Sequence, residues 1–227
     1  MSRQMSRAVQ ERRASTVIET DSEEVALWRR LDYFPTPPWG TRAGAEVLLE
    51  VDPEARTVYD PACGGGHMAD VLTERFAHVW RSDVHAYRPE TPICDWLTEP
   101  YDGPEVDWVF TNPPFKIAPD FVRLGLQRAR RGVALLLRMA FVEGVGRHPL
   151  FEGPAPLTTF SPFSERLPMT LGRWDPEASS ATAYAWFFWM RDAPPQPPRW
   201  IRPGTRDRLW LPTDAERWGA RIEGTLL

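Results

Sequence analysis

The 227-residue sequence holds a single lysine, Lys116, among 27 basic residues, only two cysteines, and no apolar run near the roughly 18 residues a membrane span requires. Each shortage excludes something. Without a long apolar run, and with a polar, arginine-bearing stretch over residues 1–13, neither a spanning segment nor an export signal is expected. Cys63 and Cys94 lack CxxC or Cys/His ligand spacing, so neither a disulfide framework nor a metal site is expected, and a reducing cytoplasm is the default setting. The formal charge of -4 excludes a uniformly basic nucleic-acid coat but leaves room for a local basic face. Arginine suits phosphates and bases better than lysine does, but the skew is read first as a biased genomic base composition. Two nucleotide fingerprints are also missing: there is no GxGxxG and no GxxxxGK[ST].

What is present alternates. A hydrophobic fraction of 42% supports one substantial core, with a partly disordered arm over 1–30, a body over 31–192 and a proline-rich tail over 193–227 packed irregularly on it. A short helix is predicted over 23–30. Residues 32–38 must be extended, because each proline fixes its own torsion and restricts the residue before it. Thr41 is expected to cap a helix over 42–50. A strand over 57–59 runs into a glycine loop, a helix over 67–76 follows, and a second strand over 78–82 ends at Asp83. Further strands are expected over 106–111 and 133–137, separated by a helix over 120–131. That alternation predicts a Rossmann-like, doubly wound α/β fold with a mostly parallel sheet. Two later strands, over 157–163 and 182–190, would suit an antiparallel hairpin at a sheet edge.

Two segments about fifty residues apart carry the chemistry, Asp60-Pro61-Ala62-Cys63-Gly64-Gly65-Gly66 and Thr111-Asn112-Pro113-Pro114-Phe115. A strand, glycine loop and helix start would gather unpaired amides where a ligand can approach closely. Asp83, ending the second strand, stands where a carboxylate would accept hydrogen bonds from ribose hydroxyls. A nucleoside cofactor with a small charged end fits both. Asn112 and the Pro113 carbonyl offer two acceptors on a backbone stiffened by consecutive prolines, and Phe115 offers a flat face. Taken singly, Asp83 and Asp95 are equally read as caps, and the glycine loop as an ordinary turn.

With these residues in order, the sequence resembles the class I S-adenosylmethionine-dependent methyltransferases, and among them the amino-methylating DNA enzymes with a D-P-x-C-G-x-G loop and an N-P-P-[YF] motif. The match runs from Tyr33 to Leu137 and, more weakly, to Met190. The resemblance implies that S-adenosyl-L-methionine is the cofactor, with Asp60, Ala62, Cys63, Gly64 and Gly66 bordering its methionine part. Asp83 would meet the ribose, and Asp95, beside Trp96, the adenine amine. Phe34, Pro35, Thr36 and Pro37 would close over it from the N-terminal side, with Asn112 adjoining. The motif order resembles the gamma group of adenine-N6 enzymes. Asn112, Pro113, Pro114 and Phe115 would then hold a flipped adenine of a DNA substrate. The sheet order and the edge hairpin are also implied by the resemblance.

The same four residues occur in enzymes that methylate guanine N2 or adenine N6 in RNA, or glutamine in proteins, which is the alternative. Cytosine-C5 chemistry is excluded, because no cysteine follows a proline at the corresponding place. A non-catalytic subunit would be expected to have lost one of the two segments. A full recognition domain is not expected, so DNA contacts are assigned to short elements: the loop over 164–180, through Arg166, Arg173 and Trp174, the proline-rich tail, or the arm before residue 30. Arg123, Arg128, Arg130 and Arg131 are alternatively phosphate contacts or a solvated helix face. A compact enzyme of this kind resembles the solitary methyltransferases of phages. No obligate protein partner is evident.

Overall fold

A computed structural model describes residues 22–100 and 103–219; expectations placed on 1–21 and 220–227 lie outside the described residues. The chain forms α1 (Glu23–Leu31), α2 (Pro38–Val51), β1 (Thr57–Asp60), α3 (His67–Leu72), β2 (His78–Arg81), β3 (Trp108–Thr111), α4 (Ala118–Arg128) and β4 (Gly132–Arg138). Then come α5 (Pro149–Glu152), β5 (Thr159–Pro162), β6 (Tyr184–Met190), α6 (Thr205–Leu209) and α7 (Pro212–Trp218). The six strands make one sheet in the order β2-β1-β3-β4-β6-β5. All pairs from β2 to β4 are parallel; β6 runs antiparallel to both β4 and β5. The expected edge hairpin is therefore present, with β5 at the rim.

Period-two patterning sorts the central strands onto two faces. Ala134 and Leu136 of β4, with Tyr184, Trp186 and Phe188 of β6, face α2 and α3, whereas Val133, Leu135 and Leu137, with Phe187 and Trp189, face α4. Helix α2 lies so close that a side chain at Gly44 would collide with the Trp186 indole, whose Nε1 donates to the Gly40 carbonyl at 3.0 Å. The proline-set start of α2 differs from the expected one. Pro38 occupies its first turn, where a fixed torsion and a missing N–H cost nothing, so the helix begins four residues early and Thr41 is buried within it rather than capping it.

The tail corrects a second expectation. Residues 193–204 are irregular as expected, but the chain then forms α6 and α7, and α7 brings Asp214 under α2. There Arg42, 4% exposed, donates Nη1 and Nη2 to the Asp214 carboxylate at 2.7 and 2.8 Å, and Nε and Nη2 to Glu74 at 2.8 Å. Asp214 is fully buried, so its charge depends on this fork. Arg42→Ala should lower stability by about 3–5 kcal/mol, the cost of leaving a buried charge unpaired. Denaturant unfolding followed by circular dichroism checks this; a loss under about 1 kcal/mol would mean that the tail is held by apolar contacts alone.

Candidate active site

The cavity of about 320 Å³ at the carboxyl ends of β1 and β3 is lined by the glycine loop, residues 30–36, Asp83, Val84, Tyr87, the 94–98 segment, Asn112 and Pro114. A cleft beyond the strand ends is where α/β sheets place ligands. Both sequence motifs thus border one space, together with Phe34, Pro35, Thr36, Asp60, Ala62, Cys63, Gly64, Asp83, Asp95 and Trp96. Pro37, Gly66, Pro113 and Phe115 are not among the lining residues.

Asn112 is fixed by what it donates. Its Nδ2 gives hydrogen bonds to the Phe34 carbonyl at 2.9 Å and Thr36 Oγ1 at 3.1 Å. A carbonyl can only accept, so the nitrogen must face Phe34, and Oδ1 is left buried without a partner. One strand away, Asp60 is 1% exposed. Its Oδ1 accepts from Thr111 Oγ1 at 2.6 Å and from the Ala62 amide, while Oδ2 is buried and has no partner. Burial pushes this carboxyl up to about 7. Asp83 lines the cavity while its carboxylate accepts from the Gly64 and His85 amides at 2.8 and 3.0 Å, and burial raises its pKa too.

The glycine loop departs from the expected cradle of unpaired amides. Gly64 N goes to Asp83, Gly65 N to the Tyr33 hydroxyl and Gly66 N to the Cys63 carbonyl. Gly64 and Gly66 take positive φ, which bends the chain under Tyr33 and into α3. The loop therefore supplies shape, and the free polar capacity lies in Asp60 and Asn112. Cys63 is buried, with its thiol pushed up by desolvation, and serves as a packing residue.

Several wall residues escaped the sequence reading. Tyr33, directly before the proline run, stacks on Tyr87 with ring centroids 4.1 Å apart, and burial pushes its hydroxyl up to about 12. Its place immediately before Phe34 was the available signal. His67 is half-buried, and desolvation, then Arg88, lowers its imidazole to about 4, so it is neutral at pH 7. Asp32 adopts a left-handed φ of 55° and accepts from the Phe115 amide at 2.8 Å, tying the N-terminal segment to the second motif. Nothing local in the sequence signals that bond.

The proposed nucleic-acid contacts fare differently. Trp174 is 1% exposed, packed against Val71, Trp210 and Trp218, so it cannot meet a base. The apolar cluster beneath α3 claims it. Arg166 donates to the Ala181 carbonyl and Arg173 lies 4.0 Å from Asp175, both in the loop between β5 and β6. That loop docks beside the cavity wall at Tyr33, through the bond from Gly172 N to the Tyr33 carbonyl. The arginine cluster is engaged: Arg123 with Asp120, Arg130 with Asp107, Arg131 with Asp52, and Arg128 with the Trp96 carbonyl while stacking over its ring. Asp95 accepts from the Leu97 amide and lines the cavity, whereas Trp96 is buried edge-on to Tyr59.

No family model matches the chain, and no curated protein matches it in sequence. Solved structures do. A class I S-adenosylmethionine-dependent methyltransferase assigned in Listeria monocytogenes aligns with a TM-score of 0.53 at 15% identity, covering 82% of this chain and 72% of its own. A protein from Pyrococcus horikoshii assigned as an RNA methyltransferase aligns at 0.51 and 16%, covering 72% and 88%. The methyltransferase subunit of a type I restriction-modification system from Streptococcus thermophilus gives 0.49 at 15%; the chain spans 45% of its length, a likeness too slight to inform function. At these identities the matches establish the class I, Rossmann-like methyltransferase fold.

The raised carboxyls have a measurable consequence. A carboxyl whose folded pKa is raised stabilises the fold below its unfolded value, and that contribution fades as pH climbs through the folded one. Asp60 should therefore cost stability as pH rises from about 4 through about 7, and Asp60→Asn should flatten that decline. The lowered carboxylates Asp52, Asp70 and Asp107 act only at more acid pH. Thermal unfolding of both proteins between pH 4 and 7 reads the difference; parallel curves would reject the assignment.

Proposed function

We propose that this protein transfers a methyl group from S-adenosyl-L-methionine to the exocyclic N6 amine of an adenine flipped out of DNA. The observation that carries the proposal is the Asn112 side chain, locked by Phe34 and Thr36 so that its buried Oδ1 has no protein partner beside the cavity. A buried acceptor left open costs stability unless a donor arrives from outside. An exocyclic amine is such a donor.

The cavity fits the cofactor. Asp60 Oδ2, buried and unpartnered, suits the ammonium of a methionine moiety, Asp83 a ribose, and the Tyr33–Tyr87 pair with Pro35 an apolar wall. When bound, the cofactor supplies an electrophilic methyl on a sulfonium. The protein's own part is to orient the acceptor nitrogen. Asn112 Oδ1 and the Pro113 carbonyl take the two amino hydrogens, which turns the nitrogen lone pair away from the ring and toward the methyl. Asp32 holds the Phe115 amide, and so the turn itself, in place. No general base with a special pKa is required, since the amine proton leaves after transfer. Unstacking the base costs a few kcal/mol, and stacking on Phe115 returns about 1–3 kcal/mol. Cytoplasmic action without a metal or protein partner, and an origin in a phage, accompany the proposal as its biological setting.

Asn112→Ala should cut methyl transfer on the order of 100-fold or more, as loss of one preorganised hydrogen-bonding group does in other enzymes, while cofactor binding by calorimetry survives. The acceptor is identified by transfer of labelled methyl to unmethylated genomic DNA, total RNA and release-factor protein in parallel, with nucleoside or peptide mass spectrometry. N6-methyldeoxyadenosine is expected. Label confined to RNA or to protein glutamine would refute the DNA substrate, and full activity in Asn112→Ala would refute the site.

A further inference from the structure

Arg138 is the last residue of β4, two strands from β1 and directly alongside β3, whose exit carries the second motif. Its guanidinium carbon lies 4.5 Å from the centroid of the Phe115 ring, covering the flat surface on which a base would stack. It also faces Tyr184, which sits on β6 opposite it in the antiparallel register. Tyr184 in turn lies 6.0 Å from Phe115, ring to ring. The arginine is solvent-exposed, and among the described residues no carboxylate comes within ion-pair distance of it. Asp32 accepts from the Phe115 amide on the same turn.

Arg138 differs from the arginines that are paired with an acid. Arg42, Arg81, Arg88, Arg123, Arg130, Arg131, Arg199 and Arg208 each have a carboxylate. Arg138 instead rests on the ring that ends the second motif, next in sequence to the cavity-lining Pro114, a position that supports a guanidinium without neutralising it. A long, flexible cation that leaves a ring when a flat molecule takes its place is suited to follow that molecule's nearest anion. For a nucleotide, that anion is its own phosphate.

We infer that Arg138 is a substrate-binding residue: in the empty site it covers Phe115, and when a base enters it moves off the ring to hold the phosphate of the same nucleotide. The inference rests on the proposed nucleic-acid reading of the site and deepens it, because a protein glutamine carries no phosphate to be held. It also assigns the substrate-side cation to β4 rather than to the loop that carries Arg166 and Arg173, which docks beside Tyr33.

The test compares wild type with Arg138→Gln and Arg138→Lys in methyl transfer to genomic DNA across a series of salt concentrations, with cofactor binding measured by calorimetry. In Arg138→Gln the KM for DNA should rise roughly 10- to 100-fold with kcat changed much less, and the slope of log affinity against log salt should shrink by about one phosphate contact. Arg138→Lys, which keeps the charge but not the fork, should restore the salt slope and part of the KM. Unchanged cofactor binding in both variants establishes that the fold is intact. Wild-type transfer to DNA with the same KM and slope in Arg138→Gln overturns this inference alone, and so does a failure of lysine to restore the slope. Wild-type transfer to protein and to neither nucleic acid overturns it together with the proposed function.

Discussion

The hydrogen bond from Asn112 Nδ2 to the Phe34 carbonyl is the contact on which the site depends. It joins residues 78 positions apart in the chain, the proline segment that precedes α2 and the turn that follows β3. It closes the cavity from the N-terminal side. It also decides which end of the amide faces inward, since the carbonyl accepts only from the nitrogen. Thr36 adds a second acceptor for the same nitrogen, and Asp32 holds the next turn of the motif by its amide. Prolines 35, 37 and 38 on one side and 113 and 114 on the other remove backbone freedom that would otherwise be lost on forming these bonds.

Around that junction the fold acts as a set of braces. Helix α2 is pressed onto Trp186 by Gly44 and tied to α7 through Arg42 and Asp214. The β5–β6 loop reaches back to Tyr33, and Gly172 gives the Trp28 ring of α1 room to lie on it. Helix α1 itself has no fully buried residue, so its position rests on these few contacts and on the left-handed turn at Asp32. The wall of the cavity formed by residues 30–36 is thus less deeply anchored than the strand ends opposite, which belongs with a surface that a ligand must pass.

The local signals were legible in the sequence. A glycine loop after one apolar run and Asn-Pro-Pro-Phe after another are each fixed by their own torsions, and both lie where expected, at the ends of neighbouring parallel strands. The alternation of strand and helix likewise required no long-range information. Long-range pairing was not legible. Thr41 reads as a cap until Pro38 is allowed to start the helix. Trp174 reads as a free aromatic until Val71 and Trp218 cover it. The tail reads as irregular because α6 and α7 are only 5 and 7 residues long and owe their shape to packing rather than periodicity. Asp32, Tyr33 and Arg138 gain their roles from partners at least 30 residues away in sequence, or in Arg138's case from a ring 23 residues earlier.

The two open acceptors are linked. Thr111, adjacent to Asn112, donates its hydroxyl to Asp60 Oδ1, so the carboxyl at the end of β1 and the amide at the end of β3 are held in one chain of hydrogen bonds that leaves Asp60 Oδ2 and Asn112 Oδ1 unused. Neither oxygen can be satisfied by water without admitting it to a space walled by Tyr33, Phe34, Met68 and Phe121. The site is therefore complementary to two donors at once, one of them best cationic because its partner is a carboxyl whose ionisation burial opposes. A cationic ligand would hold Asp60 ionised well below pH 7, converting the cost of that buried group into affinity. The neutral imidazole of His67 adds no opposing charge. A place for a cation beside a place for a neutral donor is compatible with the proposed transfer, and it follows from which side-chain atoms the fold leaves without partners.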